Sequence, residues 1–175
     1  MVIAALMTAI FVAAMVTAMV TDLLSMTIRN RVSIGLAAGF IILAPFSGLA
    51  LADYGWHLLA GGLMLCITFL LFCLRTMGGG DAKMIAATTL WFGFNPGLVD
   101  YVIKFSLIGG ALTLLIILYR LMPRPAHADR YAFLERLSHK DVGIPYGIAL
   151  GAAGLWSFPL SPVGQTMQSI LFSPA

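Results

Sequence analysis

Ionisable side chains are scarce in this chain. Asp, Glu, Lys and Arg make up 10% of its 175 residues, against roughly 25% in a soluble domain, while 61% are hydrophobic and the mean hydropathy is +0.99. So little charge cannot cover a surface in water, and the expected fold is all-α, a single polytopic membrane domain over residues 1–175. The net charge of +3 forms no patch for nucleic acid, so no such partner is expected. Cysteine is nearly absent as well. Cys66 and Cys73 share one apolar run, about 10 Å apart along a helix, which is beyond disulfide reach. No CxxC pair occurs, which removes zinc and redox readings and leaves two buried, inert thiols as the expectation. His57, His127 and His139 form no HExxH motif, so no metal or cofactor is expected. Nor does a basic stretch precede the first apolar run, residues 2–24, which is also longer than a signal-peptide core. It reads as a membrane helix that is kept.

What the chain has instead is apolar length. Runs at residues 2–24, 32–51, 56–74, 101–121 and 143–158 reach or approach the roughly 20 residues that cross a bilayer. A shorter one covers 84–94, where Asn95-Pro96-Gly97 stops it. Counted from Asp81 it is 14 residues, about 21 Å as a helix. Six transmembrane helices with a short fourth are therefore predicted. Residues 122–142 form a polar loop with Arg124, Asp129, Arg130, Glu135, Arg136 and Lys140. Within it, 131–137 is either a short amphipathic helix on the membrane surface or solvated loop, and 159–175 reads as a C-terminal tail. With six crossings, Arg29, Arg31, Arg75, Lys83, Arg120, Arg124, Arg130, Arg136 and Lys140 fall on one side and Lys104 alone on the other. The positive-inside rule makes the first side cytoplasmic. Both termini, Asp53 and Asp100 are then external.

Gly78-Gly79-Gly80-Asp81-Ala82-Lys83 joins the third run to the fourth, and it is out of place in lipid. Glycine permits positive φ and close backbone approach. Non-helical backbone at membrane depth is tolerated where it is buried in protein or lines a wet cavity, and an ionisable residue there is a functional signal. Of the seven acids, the outer loops take Asp53 and Asp100, and the polar loop takes Asp129, Glu135 and Asp141. Asp22 and Asp81 remain. Asp22 precedes Arg29 by about 10 Å of helix, and Asp81 enters at the same level, so topology alone brings both to the cytoplasmic leaflet. Two carboxyl groups in a partly desolvated site cannot both ionise cheaply and titrate as a unit. One can take a proton from water while the other donates one to a peptide carbonyl. Plainer readings exist: Asp81 as an N-cap, and Asp22 snorkelling or paired with Arg29 or Lys83. A small proton-coupled membrane carrier would use the same two aspartates as a relay. The residues by themselves leave these alternatives open.

The motifs together resemble the type IV prepilin peptidases, GxGD-type aspartic membrane proteases, particularly the small CpaA/TadV-like branch that serves Flp-type (Tad) pili. Gly78, Gly80 and Asp81 fill GxGD, and Lys83 fits its D-x-K continuation. Asp22, Ile28 and Asn30 match a D-x5-I-P-N spacing, with Arg29 in place of proline. Ile144-Pro145-Tyr146-Gly147 is similar to the family's late PYG segment. The resemblance implies that Asp22 and Asp81 are catalytic and the other motif residues support them, without metal or cofactor. It implies a bacterial inner-membrane endopeptidase that removes the short basic leader of a prepilin or pseudopilin at the cytoplasmic border of the lipid bilayer. The larger relatives carry a cysteine-rich cytoplasmic insertion and also methylate the new N-terminus. This chain has no such insertion, so cleavage without N-methylation is expected.

Overall fold

The computed structural model describes residues 2–122, 135, 137, 138 and 143–172, the last two by backbone alone. Among these residues the secondary structure is helical throughout: α1 (Val2–Ser25), α2 (Asn30–Leu43), α3 (Leu51–Cys73), α4 (Gly79–Phe92), α5 (Pro96–Leu121), α6 (Tyr146–Ser157) and α7 (Pro162–Phe172). Helices α1, α3 and α5 are long and apolar enough to cross a membrane. Two shorter apolar helices, α2 and α6, each run on into a 3-10 turn, at Ala44–Phe46 and Phe158–Leu160. The polar loop at 122–142, with its candidate surface helix at 131–137, lies almost wholly outside the described residues.

Local chemistry sets the helix ends, and several differ from the sequence expectation. Pro45 sits in the 3-10 turn and stops α2 at Leu43, short of the apolar run that continues to 51. Asn95 caps α5, its side chain accepting from the Leu98 N–H at 3.2 Å, with Pro96 at the first helical position. Helix α5 therefore begins ahead of Asp100, and α3 begins ahead of Asp53, so both acids expected in loops lie in early helical turns. Asp100 pairs with Lys104 at 2.6 Å, and the Lys104 ammonium lies 4.8 Å from the Trp156 ring centroid, tying α5 to α6. The expected C-terminal tail contains α7, whose Val163 joins the core. Helix α3 closes in a Schellman arrangement, the Thr76 N–H reaching the Leu71 carbonyl at 3.1 Å across Arg75 at φ +60°. Arginine stands there where glycine is usual.

The helices form two layers. In one, α4 lies between α2 and α3; in the other, α6 lies between α1 and α5. The layers join where α1 packs on α2 and, through their middle, where α4 meets α6 and α5, whereas among the described residues α3 and α5, at the opposite edge, do not pack together. In lipid, helices associate through close packing and hydrogen bonds rather than through the hydrophobic effect, and the small residues sit accordingly. Gly147, Gly151 and Gly154 along one face of α6 meet Asp22, Met19 and Met15 of α1. Between the layers, in the half away from the basic helix ends, Phe11 stacks on Phe158 (4.4 Å) and meets Trp91 edge-on (5.3 Å), while Phe92 stacks on Tyr101 (5.4 Å). Such pairs contribute about 0.5–1.5 kcal/mol each.

Helix α4 is enclosed, with every residue from Met84 to Phe92 buried. Two polar contacts fix it to α3: the Thr68 hydroxyl donates to the Ala82 carbonyl at 3.1 Å, and the His57 ring meets the Leu90 carbonyl at 2.7 Å. His57, Ala60, Gly61 and Thr68 are the buried positions of α3. Cys66 and Cys73 fall off that stripe and are exposed, which corrects the expectation of two buried thiols.

Candidate active site

At the basic end of the bundle, the α1–α2 turn, the α3–α4 turn and the start of α6 surround a cleft of about 750 Å³. Its walls include Asp22, Ile28, Gly78, Asp81, Tyr146 and, from α5, Phe105 and Arg120. The two acids left over by topology thus face one cavity.

Asp22 lies in the last turn of α1 and is 4% exposed. Its Oδ2 accepts a hydrogen bond from the Gly147 N–H at 2.6 Å, a short bond that joins positions 125 residues apart. The segment 144–147 is built to deliver that donor. Pro145 holds φ −72° and ψ 77°, and the Tyr146 N–H donates to the Ile144 carbonyl at 2.8 Å, an inverse γ-turn whose φ proline presets. The Tyr146 ring fits against Gly109 of α5, where any Cβ would overlap it. A Cβ on Gly147 would lie 2.8 Å from the Asp22 Cβ and 2.9 Å from its Oδ2. Proline, tyrosine and glycine therefore act separately, as turn, anchor and close contact.

Asp81 is the third residue of α4 and not its cap. The cap is Gly78, at φ −69° and ψ 142°, whose carbonyl accepts from the Ala82 N–H at 3.0 Å. None of the three glycines adopts positive φ; among the described glycines only Gly48 and Gly93 do. Their use is close approach. A Cβ on Gly78 would lie 2.8 Å from Asp81 Oδ2, and one on Gly80 would lie 3.3 Å from both the Cβ and the carbonyl oxygen of Ile28. Ile28 and Gly80, from separate motifs, thus touch. A second link runs beside it, Lys83 Nζ donating to Asn30 Oδ1 at 3.0 Å between exposed side chains.

Among the described residues no donor reaches the Asp81 carboxyl, and Asp22 forms no ion pair with Arg29 or Lys83. One acid is thus held by a backbone N–H while the other opens onto the cavity. Among those residues, too, no three His, Cys, Asp or Glu side chains gather as a metal site would need. Two carboxyl groups on a water-accessible cavity suffice for general acid and base chemistry without one. Sequence reading missed Gly109, Phe105, Arg120 and Thr68. The Gly109-Gly110 pair inside an apolar helix was a signal of close packing, whereas Phe105 and Arg120 carry no mark in the sequence.

The family model described as "Type IV leader peptidase family" matches residues 9–119, a segment that contains Asp22, the Ile28 and Asn30 positions, the glycine stretch and Asp81. Pro145, Tyr146 and Gly147 lie beyond it. No curated protein and no solved structure matches the chain.

Proposed function

The chain belongs to the type IV leader peptidase family, and from that premise we propose that it is a membrane aspartic endopeptidase that uses Asp22 and Asp81 to cut the basic leader from Flp/Tad-type prepilins or pseudopilins. The observation that carries the reading is that these two acids, 59 positions apart in sequence, line one cleft at the end of the bundle where Arg29, Arg31, Arg75 and Lys83 gather. By the positive-inside rule that end faces the cytoplasm, in a six-crossing topology of the bacterial inner membrane with both termini outside. The leader then stays in the cytoplasm while the apolar segment behind it lies in the bilayer, and the scissile bond falls at the border.

In the reaction one carboxylate takes a proton from a water whose oxygen attacks the peptide carbonyl carbon. The partner acid gives its proton to the carbonyl oxygen. Collapse of the tetrahedral diol breaks the C–N bond, and a proton passes to the departing amine. The Gly147 N–H fixes Asp22 through this cycle, and Gly78, lacking a Cβ, leaves room for the Asp81 carboxyl. No methyl transfer follows, because the chain lacks the cysteine-rich insertion of the larger relatives. The test is cleavage of a co-reconstituted leader-bearing substrate by Asp22→Asn and Asp81→Asn variants. Both should lose at least about 10³-fold in rate, the order seen when a catalytic acid or base is removed, while inserting normally. Near-normal cleavage by either one refutes the pair.

A further inference from the structure

Two of the openings between the described helices differ in what they reach. One is a groove of about 390 Å³ between α2 and α3, floored by Ala86, Ala87 and Leu90 of α4, with Lys83 at its end. Lys83 is two residues from Asp81, so at about 100° per residue it projects from the opposite side of α4, and this groove does not communicate with the acids. The other is the edge where α3 and α5 do not pack together. There the cleft that holds Asp22 and Asp81 is bounded by the α3–α4 turn, residues 76–78, and by α5 from Phe105 to Arg120. Those two α5 residues are fifteen positions apart, about 22 Å of helix, so the cleft runs well into the roughly 30 Å hydrocarbon layer.

Resting on the peptidase reading above, we infer that the α3–α5 opening is the docking site for the apolar membrane helix of the substrate. Volume supports a division of the substrate into two parts. A helix of about 10–12 Å diameter fills roughly 120–170 Å³ per residue, so a cleft of about 750 Å³ accepts only about five residues. The cleft takes the residues around the scissile bond, and the rest of the apolar helix lies in the opening, still inside the bilayer. The α3 flank suits that occupant. Near the cleft, α3 exposes Phe69 and Phe72, and the Phe72 ring stands against Gly79 at the cleft wall. The α2–α3 groove suits it poorly. Its polar end is Lys83, with Asn30 bonded to it and Arg31 next in α2, and neither Asp22 nor Asp81 lines it.

The experiment uses the full chain in proteoliposomes with two synthetic substrates that share one basic leader: a spanning peptide with an apolar helix of about 20 residues, and a short peptide that ends just past the cleavage site. A photoreactive phenylalanine analogue replaces Phe105 in one preparation and Leu58, in the α2–α3 groove, in another, both in an Asp81→Asn background that retains uncut substrate. Adducts to the spanning helix from position 105 and none from 58 are expected; adducts from 58 alone overturn the inference. In the active enzyme, Phe69→Ala, on the α3 flank of the opening and outside the cleft lining, should raise KM for the spanning peptide about fivefold or more by removing an apolar contact, with the short peptide little affected. Equal effects on both peptides, or on neither, also overturn it. Failure of the parent reading looks different, since either wild type cuts neither peptide or Asp81→Asn still cuts both.

Discussion

Replacing Gly147 with alanine tests the contact that holds Asp22. The added methyl would sit 2.8 Å from the Asp22 Cβ, whereas carbon atoms pack at about 3.5–4.0 Å, so α1 and α6 must separate locally by roughly 1 Å. Crowding of that kind costs about 1–3 kcal/mol. Stretching the 2.6 Å bond from the Gly147 N–H to Asp22 forfeits part of an interaction that contributes about 1.5–3 kcal/mol when its acceptor is charged. The larger effect falls on turnover, because a misplacement near 1 Å costs about 10²-fold.

The assay is single-turnover cleavage in proteoliposomes, normalised to the folded fraction from a thermal melt. Two further variants isolate the cause. Gly151→Ala crowds the same helix pair, with its Cβ 2.8 Å from the Met15 carbonyl oxygen, but touches no acid, so it should lower stability and spare the rate per folded molecule. Gly35→Ala meets nothing within 4 Å and should be neutral, or stabilising by up to about 1 kcal/mol. If Gly147→Ala cleaves at the wild-type rate, or if Gly151→Ala loses as much activity at equal folded fraction, the Gly147–Asp22 contact has no special part in catalysis.

Arg75→Gly should raise stability by about 1 kcal/mol, because the left-handed backbone at φ +60° strains any residue with a Cβ; a lower melting temperature contradicts that account of the turn. His57→Ala removes the contact to the Leu90 carbonyl and the stack on Phe40, whose centroid is 5.0 Å away. It should cost about 2–4 kcal/mol and leave cleavage per folded molecule intact, since His57 lies at the other end of α4 from Asp81. Excess EDTA should not alter cleavage, and a loss restored by a divalent cation would assign the chemistry to a metal.

The sequence made the acids easy to find and their surroundings hard. Asp22 and Asp81 stood out because an apolar chain leaves few places for a carboxylate, and alternation of apolar runs brought both to one end. The helix ends were harder. Asp53 and Asp100 looked like loop residues because hydropathy marks where lipid begins, while capping by Asn95 and Pro96 marks where the helix begins, and the two differ by a turn or more. The glycines before Asp81 pointed to unusual backbone angles, yet their backbone is ordinary and their absent side chains are what matter. That distinction depends on Ile28 and Phe72, which arrive from the α1–α2 turn and from α3. Cys66 and Cys73 were misjudged by a rule for soluble proteins, in which an apolar side chain is buried; on α3 the apolar surface faces outward.

The stack of rings between the layers decides how water can reach the two aspartates. Phe11, Trp91, Phe92 and Tyr101 are fully buried, with Phe158 closed over Phe11, and they fill the bundle on the side away from the basic helix ends. The cleft therefore has a floor. The polar atoms these rings carry are the Trp91 N–H, which bonds the Leu36 carbonyl at 3.1 Å, and the Tyr101 hydroxyl, buried without a hydrogen-bond partner among the described residues; the rest of their surface is apolar. The same floor that anchors the two layers closes the cleft toward the far face, leaving the basic end and the α3–α5 edge as its ways in.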